Sequence, residues 1–293
     1  MKVLSYLIVS ILMALALTGC EREINIDLGD IPDQIVVEGT IEPGGNPKVL
    51  VTRNRDFFEN YPTDLLSLLD TFIIQDAIVS INDGNGSVPM LFVVNPFEYP
   101  YAYYTTTAIT GIVGGTYTIS VEARNQTLTA HTTIPPAVAV DSTWFSLNFF
   151  NVDEDSLGFL NVAFTDPDTF GNAYRLYSKR NSETEYFPVT GSLANDEFIN
   201  ARYVNFFAGQ AEKPFGNQDT FINDNFFYSL GDTIFVKFCS IGRREFDFYN
   251  TYEAASASNG NPFASPTLIK SNVEGGMGIW CGQSFFYDTL IVN

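Results

Sequence analysis

A chain of 293 residues with 45% apolar side chains is too hydrophobic for a disordered protein and long enough for one large or two medium cores. Its 34 acidic side chains outnumber 15 basic ones, and a surface with a net charge of −19 repels phosphate backbones and anionic lipid headgroups, which argues against nucleic acid as a partner. A single histidine leaves few routes to nucleophilic catalysis.

Lys2 and the apolar run from Val3 to Leu17 have the charged and hydrophobic regions of an export signal, and the run is short for a bilayer span. It ends in Leu17-Thr18-Gly19-Cys20, a lipobox. Cleavage between Gly19 and Cys20, with a diacylglycerol on the Cys20 thiol, is the expected processing. A transmembrane anchor would leave the small-small-Cys ending without a reason. Residues 1–19 therefore read as signal peptide, and 20–34 as the lipidated cysteine and a polar tether anchored to a membrane.

From residue 35 the pattern is short alternating or β-branched runs closed by Gly, Pro, Asn and Asp, the signature of a mainly β fold. Ile35 to Ile41 is a first strand, stopped by a Pro-Gly-Gly reversal, with Lys48 to Arg53 as its hairpin partner. Leu65, Leu66, Leu68 and Leu69 suit a short helix or covering loop. Ala77 to Asn82 and Val88 to Val94 flank Asp83-Gly84-Asn85-Gly86, which supplies the positive φ of a tight turn. Thr116 to Ala123 and Gln126 to Ile134 form the plainest hairpin, turning at Arg124-Asn125. Residues 35–136 read as an N-terminal β-sandwich of immunoglobulin- or transthyretin-like kind.

After Pro135-Pro136 a second β-rich unit is expected over residues 141–293, with strands at Thr143 to Phe149, Phe159 to Phe164, Ala173 to Ser178 and Thr233 to Cys239. Long polar connections fill the interval from Asn181 to Tyr228. One helix is expected, Arg243 to Ser258, from the spacing of Phe246, Tyr249 and Tyr252 and the Asn259-Gly260 stop. Gly275-Gly276-Met277-Gly278 reads as close backbone packing and Thr289 to Val292 as a closing strand.

His131 falls on the strand parity of Thr127, Thr129 and Thr133, the solvent face, and reads as a surface residue rather than a general base. With Cys20 committed to lipid, Cys239 and Cys281 remain as a pair in an oxidising compartment, where a disulfide is the default and two separate buried thiols the alternative. Asp153-Glu154-Asp155 and the Asp166-Pro167-Asp168 turn have oxygen ligands at loop spacing, so Asp166 and Asp168 are a calcium candidate beside the plainer reading of a solvated turn. No other cofactor is indicated. Tyr99, Tyr101 and Tyr103 alternate as half-buried packing or as a stacking platform, and Phe206, Phe207, Phe226 and Phe227 are core or partner contacts.

These landmarks occur in a particular order: the lipobox, Val-Val-Glu-Gly-x-Ile at 36–41, Gly-x-Tyr-Thr at 115–118, and Ile-Pro-Pro with Asp141-Ser142 shortly after. Phe164-Thr165-Asp166-Pro167-Asp168, Asn172-Ala173-Tyr174-Arg175, the aromatic helix, Pro262-Phe263 and Ser271-Asn272-Val273-Glu274-Gly275-Gly276-Met277-Gly278-Ile279 follow. Together they resemble the domain-of-unknown-function family 4249, lipoproteins of Bacteroidetes-type Gram-negative bacteria, over nearly the whole mature chain. The resemblance implies an outer-membrane lipoprotein encoded near TonB-dependent receptors, and it carries no established activity or functional residues. Cys239 and Cys281 are not expected throughout that family.

The reading that follows is a non-enzymatic accessory protein docking on an outer-membrane receptor or transporter through aromatic side chains. A surface module capturing carbohydrate or peptide on the tyrosine segment is the alternative, and a hydrolase with paired carboxylates a second one. Whether the protein faces outward or into the periplasm stays open, with Glu21-Arg22-Glu23 favouring the surface.

Overall fold

Strand β1 (Ile35–Ile41) buries Ile35, Val37 and Ile41 and exposes Glu38, the period-two burial that its alternating sequence dictates. It pairs antiparallel with β2 (Lys48–Arg53), as the intervening turn residues require. The computed structural model describes residues 34–54, 64–97, 100–148, 156–210, 226–258 and 267–293. Gly19 and Cys20 of the lipobox, Tyr99, Asp153 to Asp155 and Pro262-Phe263 lie outside the described residues.

The short helix α1 (Leu65–Thr71) starts at Asp64, whose side chain accepts from the Ser67 amide at 2.9 Å and so satisfies one free donor of the first turn. Strands β3 (Ile78–Asn82), β4 (Ser87–Val94), β5 (Ala102–Thr105), β6 (Thr116–Ala123) and β7 (Gln126–Thr133) follow. β6 and β7 turn at Arg124 and Asn125, with φ of 47° and 60°, the two-residue reversal whose twist matches the flanking strands.

Next come β8 (Val140–Leu147), β9 (Leu157–Thr165), β10 (Ala173–Arg180), β11 (Phe187–Asn195), β12 (Tyr203–Ala208), β13 (Tyr228–Ser229) and β14 (Thr233–Ile241). Helix α2 (Arg243–Ser258) fills the span its periodicity predicts, and β15 (Val273–Glu274) and β16 (Met277–Ile291) complete the chain. Three elements differ from expectation: β16 begins twelve residues before the closing strand expected at Thr289, and β11 and β12 lie in a stretch read as loop. Pro188, Gly191 and several Asn residues blur their alternation, and pairing with β10 and β9 supplies the order that local pattern lacks.

β16 is the organising element. Over 15 residues it first runs parallel to β1, from Met277 to Gly282, and then antiparallel to β14, from Gln283 to Ile291. One strand thereby joins two sets into a 12-stranded path, β11-β10-β14-β16-β1-β2-β5-β4-β3-β6-β7-β15. Parallel pairing at this closeness requires glycine at 278, where φ is +123° and a Cβ would run into the Val37 carbonyl. A second, four-stranded sheet has β12 and β13 on one edge of β9 and β8 on the other.

Two main cores result. In the first, the long sheet curls on itself so that Val37, Ile41, Val49 and Val51 face Ile81, Ile119, Val121 and Leu128, with Trp280 of β16 fully buried among them. The second packs Leu160, Val162 and Phe164 of the small sheet on Tyr174, Leu176, Val236 and Phe238. Helix α2 covers the back of β10, β14 and β16, where Phe246 meets Ala173, Cys239, Ile241, Ile279 and Cys281. The architecture is mainly β and sandwich-like, with one long late helix. Ile134 closes the first core and Val140 opens the second, while residues 273–282 return to the first.

Candidate functional site

The small sheet leaves an aromatic face toward solvent. In register across β8, β9 and β12 stand Trp144, Asn161 and Phe207. Strand parity sends Phe145 inward and Trp144 outward, so Trp144 is 37% exposed and Phe207 49%. Beneath them Phe159 is fully buried, edge-on to Phe207 at 5.0 Å and to Phe227 at 5.1 Å. Phe226, 39% exposed, extends the face, and Gln210 fixes its segment by donating from its backbone amide to the Phe226 carbonyl (2.7 Å) and from Nε2 to the Phe227 carbonyl (2.6 Å). Asn161 Nδ2 donates to Ser146 Oγ at 2.8 Å, so the polar centre of the face is held in place.

The four phenylalanines proposed from sequence therefore divide. Phe207 and Phe226 are exposed, whereas Phe206 packs against the second core and Phe227 is buried. Trp144 was not singled out by sequence reading, although its alternation with Phe145 carries the signal.

The tyrosine segment also divides. Tyr103 is buried with the Lys48 ammonium 5.2 Å from its ring, and Tyr104 donates its hydroxyl to the Ile74 carbonyl at 2.8 Å. Tyr101 is half-buried and lines a cavity of about 360 Å³ with Glu38, Arg53, Phe72 and Pro100. The Arg53 guanidinium lies 4.3 Å from the Phe72 ring centroid, so this wall presents a cation on an aromatic face.

Where α2 meets the sheets, Arg175 and Glu245 are buried and have polar or aromatic partners, although Arg175 Nε makes no hydrogen bond. Arg175 stacks 3.7 Å from the Tyr249 ring centroid and reaches Glu253 at 3.4 Å, while Ser192 Oγ donates to the same Glu253 oxygen at 3.0 Å. Glu245 Oε1 accepts from Thr132 Oγ1 at 2.6 Å, and burial raises the Glu245 pKa. Arg243-Arg244-Glu245 looks solvated in sequence, so the burial of Glu245 had no local signal. His131 is exposed, as its parity predicts, with Nε2 3.0 Å from Arg244 Nη1.

Cys239 and Cys281 are free buried thiols, not a disulfide. Cys239 pairs with Phe285, four residues along β16 from Cys281, which at strand rise is roughly 13 Å, well beyond the ~7 Å Cα limit of a bridge. Burial pushes Cys239 up to about 12 and Cys281 well above the ordinary thiol value, so both are inert. Asp166 is buried and accepts from the Tyr174 hydroxyl, whereas Asp168 is exposed and accepts from Asn200. Among the described residues no three His, Cys, Asp or Glu side chains converge to hold a metal.

These features define a mainly β protein with two cores joined by one strand and with aromatic side chains left exposed on its smaller sheet. Residues 21–285 match the family described as Domain of unknown function (DUF4249), and the chain belongs to that family. No curated protein matches it.

Proposed function

We propose that this chain is a non-enzymatic, lipid-anchored outer-membrane protein that docks on a membrane receptor or transporter through the aromatic face of its small sheet. The observation that carries the reading is the row Trp144, Asn161, Phe207, flanked by Phe226: large rigid rings exposed around a fixed polar centre, the composition of a protein-binding hot spot. The lipobox supports the anchoring. The 15 residues from Cys20 to Gln34 extend at most about 50 Å, which keeps the fold near a membrane and favours a membrane-resident partner. Pull-down of the lipidated protein after chemical crosslinking in native membranes tests this. Co-recovery of one membrane protein, lost in a W144S/F207S double variant, is the expected result; recovery of free monomer alone contradicts it.

A second reading rests on the cavity lined by Tyr101, Phe72, Arg53 and Glu38, whose aromatic walls and opposite charges suit a carbohydrate or peptide. Glycan and peptide arrays probed with the wild type and a Y101A variant distinguish it. Binding that Tyr101→Ala removes favours capture of a small ligand.

A further inference from the structure

Two loops beside the second core carry oxygen atoms that no donor satisfies. The segment after β9 is held against the turn after β11 by hydrogen bonds from the Asp166 amide to the Arg202 carbonyl (3.0 Å) and from the Asp196 amide to the Asn172 carbonyl (3.1 Å). Asp166 is only 2% exposed; its Oδ1 accepts from Tyr174, and its Oδ2 is buried with no hydrogen-bond partner. Asn200 donates Nδ2 to Asp168 Oδ1 at 3.3 Å, which leaves its own Oδ1 buried, again with no partner. Asp196, also 2% exposed, is occupied by the amides of Gly171 and Asn172. Among the described residues no Lys, Arg or His forms an ion pair with Asp166, Asp168 or Asp196.

Buried acceptors without donors are destabilising, and folded chains rarely keep two of them on adjoining segments. Both orphans are oxygens, the third group in reach is a carboxylate, and the surroundings are acidic. Such a set attracts a hard divalent cation and holds no nitrogen or sulfur ligand for zinc or copper.

We propose that Asp166, Asp168 and Asn200 form a calcium site. Asp166 Oδ2 and Asn200 Oδ1 supply inner oxygens, the exposed Asp168 carboxylate closes the outer side, and water completes a shell of about six to eight oxygens. Loops that adjust independently suit calcium better than magnesium, which demands near-octahedral geometry and sheds water reluctantly. Two carboxylates and one amide give modest charge, so the affinity falls in the range of about 10⁻⁴–10⁻³ M found for extracellular modules. Binding ties the β9–β10 loop to the β11–β12 turn over Tyr174, independently of any docking on the aromatic face.

The full-length protein in detergent, freed of metal with a chelator, is titrated with calcium chloride by calorimetry and by thermal unfolding, with terbium luminescence as a second readout. The expected result is one saturable site, a rise in Tm with calcium, and terbium emission that calcium displaces. Because Asp166→Asn is buried and risks misfolding, the exposed D168N and the half-buried N200A variants carry the test. Each retains the metal-free Tm to within a few degrees and loses at least tenfold in calcium affinity. No heat and no Tm shift in the wild type, an equal response to magnesium, or unchanged affinity in both variants overturns the proposal.

Discussion

Asn272 and Trp280 form a reciprocal pair: the Trp280 amide donates to Asn272 Oδ1 at 2.9 Å, and Asn272 Nδ2 donates to the Trp280 carbonyl at 2.8 Å. One side chain thus takes the place of a neighbouring strand along this edge of β16. It holds in register a tryptophan whose indole fills the first core and donates Nε1 to the Tyr117 carbonyl at 3.0 Å. The Ser271 to Ile279 motif is therefore the clasp by which the C-terminal strand locks the N-terminal strands.

Asn272→Ala removes both bonds and leaves an amide and a carbonyl buried without partners, at a cost of about 2–4 kcal/mol. Urea denaturation is expected to show a lower midpoint with an unchanged m-value, since the surface exposed on unfolding stays the same. A midpoint within error of the wild type would contradict the clasp.

Glu245 makes stability pH-dependent in a defined direction. Burial raises its folded-state pKa above the ordinary 4.5, so the folded chain holds a proton that the unfolded chain has released. The contribution is fully present below pH 4.5 and is lost as pH rises through the folded pKa. Glu245→Gln keeps an acceptor for Thr132 and removes the titration. The stability of the wild type minus that of E245Q is expected to be largest near pH 4 and to decline toward neutrality, measured by urea unfolding at a series of pH values. Parallel profiles would show that Glu245 is not buried.

The two thiols give a simple check on the β14–β16 register. Neither Cys239 nor Cys281 is expected to react with a thiol reagent in the native protein, and both are expected to react at once in denaturant. Reductant leaves Tm unchanged. A drop in Tm on reduction would restore the disulfide and require a different register.

Much of the fold is legible in the sequence wherever a strand carries its own alternation, as in Gln126 to Thr133, or a helix its own period, as in Arg243 to Ser258. The rest depends on contacts distant in sequence. β16 opens on Met277-Gly278, and nothing local shows that six residues pair with β1 and the following nine with β14. β12 alternates Phe206 inward and Phe207 outward, so the aromatic content is visible from sequence while the division into core and surface needs the partner strand. Asn200 has no motif of its own, and only the hydrogen bonds that pin its loop bring it to Asp168.

The central claim is that the face around Phe207 is the docking surface. The direct measurement places a photoactivatable amino acid at Phe207 in living cells, with Phe97, 93% exposed just after β4, as the control position. Irradiation is expected to join the Phe207 position to one membrane protein and to give no such product from Phe97. Equal crosslinking from both positions, or none from Phe207, would contradict the account.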